Sequence, residues 1–197
     1  MTADALLGVF LFALAVSMTP GPNNVMLMTS GVNFGFVRTV PHMAGIVAGF
    51  AMMMLAVGLG LGALLHTMPT LALALKIAAG LYMLYLAWRI AFSGAIGEAD
   101  QMARPLTFWQ AAAFQWINPK AIGAGLAVTA AHADVLHPLA SAVSIAGVFA
   151  VISCLSVTTW TGFGLAVRRF LSNPGRLRIF NAVMGLLLVA TILPMLR

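Results

Sequence analysis

Met18-Thr19-Pro20-Gly21-Pro22-Asn23-Asn24 interrupts an otherwise apolar run that begins at Ala5 and is ended by Arg38. An uncharged run of this kind reads as a membrane span, and a helix breaker inside a span is costly. Pro20 and Pro22 lack a backbone N–H and fix φ, and Gly21 weakens the helix further. Hydrocarbon offers no water to the carbonyls that are freed, so a broken span is tolerated only where protein buries it or where it lines a polar cavity. The stretch therefore predicts a membrane fold and one half of a substrate site.

The rest of the chain agrees with a membrane fold. Of 197 residues, 62% are hydrophobic and 7% charged, with a mean hydropathy of +1.03. A soluble domain carries roughly a quarter charged residues. The length is that of a single transmembrane domain over 1–197, with no room for a second globular one. Formal net charge is +6, but the basic residues are not interleaved with aromatics on a soluble face. The charge is read as topology, with no nucleic-acid partner expected. One cysteine, Cys154, makes neither a disulfide nor a metal cluster and reads as a small buried apolar residue. Met1-Thr2-Ala3-Asp4 lacks the positive region of a signal peptide, so the first apolar run is expected to be retained.

Six spans fit the uncharged stretches, at about 5–31, 40–65, 71–91, 105–131, 139–167 and 179–196. The odd-numbered connections hold Arg38, then Arg89 and Arg104, then Arg168, Arg169, Arg176 and Arg178. The opposite side has Arg197, with Lys76 if it snorkels. The positive-inside rule places the odd connections in the cytoplasm and both termini on the periplasmic side of an inner membrane.

Two halves recur. Ala44-Gly45 and Gly60-Leu61-Gly62 return as Ala146-Gly147 and Gly162-Phe163-Gly164, and Leu75-Lys76-Ile77 as Leu177-Arg178-Ile179, all at an offset of 102. Three spans per half force the copies, about 1–98 and 104–197, into opposite orientations. The expected fold is an all-α membrane protein of six transmembrane helices in two inverted three-helix repeats, with helices 1 and 4 broken.

The second break is Asn118-Pro119-Lys120. Paired interruptions in the two halves point to a site near the bilayer midplane. Thr19 and Asn118 are good N-cap residues directly followed by proline, so each span is expected to restart there as a half-helix whose N–H groups attract an anion. A lysine at the centre of a span costs about 2.5–3.5 kcal/mol. The four acids, Asp4, Glu98, Asp100 and Asp134, all fall in termini or connections. Lys120 is therefore read as a receptor for a substrate carboxylate, or, structurally, as a cation bonded to freed carbonyls. Asn23 and Asn24, with carbonyls freed by the prolines, either hold a substrate ammonium or only satisfy the broken backbone.

Other residues carry weaker signals. His42 could shuttle protons or simply stand at the interface. Lys76 guides carboxylates or snorkels, and Tyr82, Tyr85 and Trp88 more often pack and anchor. The hydroxyls Ser141, Ser144, Ser153, Ser156, Thr158, Thr159 and Thr161 line a pathway or bond between helices. Gly45-x-x-x-Gly49 and Gly58-x-x-x-Gly62 read as close-packing seams that would permit a homodimer.

Pro20-Gly21-Pro22-Asn23, Asn118-Pro119-Lys120, and Lys76 with Gly80-Leu81-Tyr82 together resemble the LysE/RhtB family of bacterial amino-acid exporters over essentially the whole chain. The resemblance implies efflux of amino acids or close derivatives across the inner membrane, driven by the proton gradient. It is nearest the exporters of small neutral amino acids such as threonine, homoserine, cysteine or O-acetylserine. It implies substrate binding at Thr19, Pro20, Gly21, Pro22, Asn23, Asn24, Asn118, Pro119 and Lys120. His42, Lys76 and Tyr82 are candidates for the pathway or proton coupling, and no cofactor is expected. The residues add that no span holds a fixed negative charge, which argues for a neutral side chain on the substrate. The alternatives are an exporter of metal cations, which a site built around Lys120 would repel, and a membrane-embedded enzyme. The chain has no paired intramembrane acids, HExxH or Gly-x-Ser-x-Gly for the latter.

Overall fold

The structure, a computed structural model, describes residues 1–93, 104–134, 136–171 and 173–193, with the side chains of residues 65 and 66 left aside. The described residues are helical: α1 Ala3–Met18, α2 Pro22–Phe34, α3 Phe36–Ala56, a π-helical turn Val57–Leu61, α4 Gly62–Thr67, α5 Pro69–Ala91, α6 Phe108–Gln115, α7 Pro119–His132, α8 Pro138–Arg168 and α9 Pro174–Ala190. Glu98, Asp100, Arg197 and the end of the sixth expected span lie outside the described residues.

Proline sets the starts. α2, α5, α7, α8 and α9 each begin with one at the first helical position, where its missing N–H is not needed. Asn173 caps α9 by accepting from Gly175 N–H at 2.7 Å. The sixth helix therefore begins at Pro174, not near 179, and Arg176 and Arg178 stand in its first turns rather than in a connection. Arg38 likewise lies inside α3, because Gly35 alone joins α2 to α3, with φ 79° and ψ 175°, a conformation open only to glycine. A kink unforeseen in the sequence falls at Val57–Leu61, where Gly60 adopts φ 115°.

Among the described residues three segments are long and apolar enough to cross a membrane: Phe36–Leu64, Pro69–Ala91 and Pro138–Arg168. α1 and α2, bent by 54° at the first break, count as a fourth if they form one span. α6, α7 and α9 have 8, 14 and 17 residues.

The 31-residue α8 is central, packing against α1, α2 and α3, while α6 packs on α3 and α9 on α5. Glycines allow these approaches. A Cβ on Gly31 would strike Thr161 O, one on Gly164 would strike Met28 O, and one on Gly45 would strike Phe108 O. Gly49 faces Ala112, Gly58 faces Ala142 and Gly62 faces Leu126. The two seams expected from the sequence are thus occupied within the chain. Two apolar clusters result, one around Leu27, Met43, Met83 and Phe114, the other around Met53, Phe149 and Ile152. Outside them Leu7, Leu11, Val151, Leu155 and Leu186 are exposed, as lipid-facing side chains would be, and Cys154, expected to be buried, is exposed on the same stretch of α8.

Candidate functional site

The first break sets two half-helix ends face to face. Thr19 closes α1 with φ −73° and ψ 142°, the extended geometry imposed by a following proline. Pro22 imposes the same on Gly21, so α2 cannot start earlier than Pro22. The expectation that Thr19 caps α2 is corrected accordingly. Its hydroxyl donates back to Val16 O at 2.8 Å, and Gly21 takes the N-cap without a side-chain bond. The second break follows expectation: Asn118 caps α7, accepting from Lys120 N–H at 3.1 Å, with Pro119 next.

The breaks meet through Lys120. Its Nζ donates to Thr19 O at 2.7 Å, Thr19 Oγ1 at 2.9 Å and Pro20 O at 3.4 Å. The ammonium thus sits at the C-terminal, electronegative end of α1. The lysine that lacks a counter-ion in the sequence finds three oxygens here. Gly21 makes room for it, since a Cβ there would lie 2.7 Å from Lys120 Cδ.

The other freed carbonyls are also taken. Buried Asn24 donates through Nδ2 to Ser17 O at 2.9 Å and Thr19 O at 2.7 Å, and Ser156 Oγ donates to Ser17 O at 2.8 Å. In this conformation Asn24 satisfies broken backbone, and the carbonyls expected to receive a substrate ammonium already have donors. Asn23 pairs with Gln115, Nδ2 to Oε1 at 2.8 Å and Nε2 back to Oδ1 at 3.1 Å. Gln115 also donates to Ala111 O at 2.9 Å and is fully buried. This amide pair ties the start of α2 to the end of α6.

A cavity of about 50 Å³ lies at the junction, lined from the breaks by Gly21, Pro22, Asn23, Asn24, Asn118 and Lys120. Ser17, Ser153 and Ser156 add hydroxyls, and Ile46 and Phe50 add apolar wall. The Ser17 Oγ is buried without a partner, an open hydrogen-bonding position. The first-turn N–H groups of α2 have no acceptor in their own helix, so the cavity pairs a cation with a positive helix end. That combination suits a carboxylate.

The remaining candidates stand elsewhere. Thr19, Pro20 and Pro119 do not line the cavity; the first two contribute oxygens to Lys120. Lys76 is exposed on α5, and Tyr82 packs on Phe114 with ring centroids 5.8 Å apart. His42 lines a different, larger cavity. Thr158 and Thr159 bond back to carbonyls of their own helix. Sequence reasoning missed Gln115 and Ser17. Gln115 was detectable as an uncharged polar residue in an apolar run, three positions before Asn118. Ser17 carried no signal beyond standing next to the break.

A family model described as "LysE type translocator" matches residues 14–193. The chain is 33% identical, over 96% of its own length and 96% of theirs, to the cysteine/O-acetylserine efflux proteins of Escherichia coli (strain K12) and Shigella sonnei (strain Ss046). No solved structure matches it. A full-length match of this kind, on a helical chain with apolar spans and the paired breaks described above, has one reading: the chain belongs to the LysE type translocator family.

Proposed function

We propose that the chain is a secondary exporter of small neutral amino acids or derivatives, of the cysteine and O-acetylserine class named for its relatives, with substrate bound between the two breaks. The observation that carries this reading is Lys120, which reaches from the second break to the first across a cavity that both breaks line. A carboxylate is a stronger partner for an ammonium than a carbonyl. Substrate would thus draw Lys120 from Thr19 and Pro20 and receive N–H groups from the start of α2. Its ammonium would then compete for the carbonyls that Lys120 releases.

On this reading α1–α2, α3 with α4, α5, α6–α7, α8 and α9 are six spans of one transporter domain, in two inverted repeats over 1–98 and 104–197. The common offset of 102 supports it, as do the α3–α8 and α5–α9 packings, which join equivalent spans of the two halves. The odd connections face the cytoplasm and the termini the periplasm. The proton gradient drives efflux, with His42, Lys76 and Tyr82 as candidates for coupling. A homodimer would use surfaces other than the glycine seams already filled.

Purified protein in liposomes should move radiolabelled L-cysteine, kept reduced, and Lys120→Ala should abolish that movement while leaving expression intact. Full activity in Lys120→Ala would remove the residue from the mechanism. A wild-type protein that moves a metal ion and no amino acid would overturn the reading.

A further inference from the structure

A second cavity, of about 350 Å³, lies further along α2 and α3 from the break. The order of lining residues shows this. Asn23 and Asn24 on α2 line the first cavity, and Met26, Thr29, Ser30 and Asn33 the second. On α3, which runs back, His42 lines the second, and Ile46 and Phe50 the first. At 1.5 Å per residue the two stand about two helical turns apart. The second is bounded by the end of α2, the start of α3, the end of α5 and residues 104–106. Arg89 and Arg104 line it, and Arg38 stacks over its lining residue Phe34, so it lies at the arginine-bearing end of the molecule.

Most polar groups here are already partnered. Thr29 Oγ1 donates to Val25 O, Ser30 Oγ bonds Thr39 Oγ1, and Asn33 exchanges hydrogen bonds with Asn181. Ser93 Oγ donates to Ile90 O, and Arg89 Nη2 donates to Arg104 O. His42 differs. It is 1% exposed, and neither ring nitrogen has a hydrogen-bond partner. A buried imidazole left unpaired is destabilising. Among the described residues no carboxylate lines the cavity, and Arg104 is exposed at its rim.

We propose that this second cavity is a loading site for the exported amino acid. There the Arg104 guanidinium takes the substrate carboxylate at the rim, and the unpaired His42 imidazole accepts from the substrate ammonium on the inner side. The cavity is large enough for a small amino acid, and the neutral imidazole offers one donor and one acceptor, matching a ligand that carries both. Met26, which lines the second cavity, belongs to one apolar cluster with Met43 and with Ile46, which lines the first, so an apolar layer joins the two. Substrate thus waits beneath the break until that layer parts. The inference rests on the exporter reading and deepens it.

The test uses the full chain in liposomes, with radiolabelled L-cysteine presented at either face and orientation fixed by protease sidedness. His42→Leu should raise the apparent KM about tenfold from the arginine-bearing face only, with a melting temperature equal to or above that of the wild type, since an apolar side chain relieves the unpaired imidazole. Arg104→Gln should raise the same KM with kcat kept, and Arg104→Lys should restore it. Unchanged KM from both faces in His42→Leu and Arg104→Gln would overturn the loading site. With Lys120→Ala inactive in parallel, that result leaves the exporter reading standing. Equal KM increases from both faces would also overturn it, by placing the effect at the break. If the wild type moves no amino acid, both readings fail.

Discussion

Gln115 and Asn23 show how tightly single side chains hold the broken backbone. Each amide is the other's donor and acceptor, with Gln115 fully buried and Asn23 partly so. Removing one leaves the other unpaired, at about 1–3 kcal/mol; removing both with apolar groups is expected to cost less. Gln115→Leu should therefore lower the melting temperature in detergent, and Gln115→Leu with Asn23→Leu should recover part of the loss. Additive losses in the double variant would show that the two amides act separately. The location of this site was legible in the prolines, because a broken span must be buried in protein. Its internal bonding was not. Whether Asn24 and Lys120 face a ligand or the chain's own carbonyls depends on the fold of Thr19 and Pro20, which proline restricts but does not orient in three dimensions.

Prolines also decided more element boundaries than hydropathy did. Expected spans that began at 71, 139 and 179 begin at Pro69, Pro138 and Pro174, since a proline can open a helix that its neighbours merely continue. Glycine patterns were less readable, because repeat position does not dictate packing. Gly45 and Gly147 occupy equivalent places at the 102-residue offset, yet a Cβ on Gly45 strikes Phe108 O while one on Gly147 meets open space. Gly45→Ala should force α3 from α6 and cost about 1–3 kcal/mol in unfolding assays. Gly147→Ala should be neutral or slightly stabilising, by helix propensity. Equal effects at the two positions would contradict the packing described for α3.

For the molecule as a whole, composition was enough to establish a helical membrane protein, and it could go no further. Among the described residues three segments are long and apolar enough to span, and the bent α1–α2 pair is a fourth if it forms one span. α6, α7 and α9 are shorter than those segments, because the second break separates α6 from α7 and α9, although it starts early at Pro174, stops at Ala190. Orientation is the testable global property. In a Cys154→Ala background, Thr2→Cys should react with a membrane-impermeant thiol reagent from outside the cell, and Arg169→Cys only after the membrane is opened. The reverse pattern would invert the topology. The central place of α8 bears, finally, on how such a chain is made. α1, α2 and α3 all pack against a helix that begins at Pro138, and the carbonyls of the first break await Lys120 and Ser156. Early in synthesis the N-terminal half must therefore stand in the bilayer with Gly31 uncovered and Ser17, Thr19 and Pro20 oxygens lacking those donors. Assembly completes only after insertion, when the later helices associate with the earlier ones. A nascent chain stalled before α7 would keep the Asn24 bonds to Ser17 O and Thr19 O but leave Pro20 O without the Lys120 ammonium.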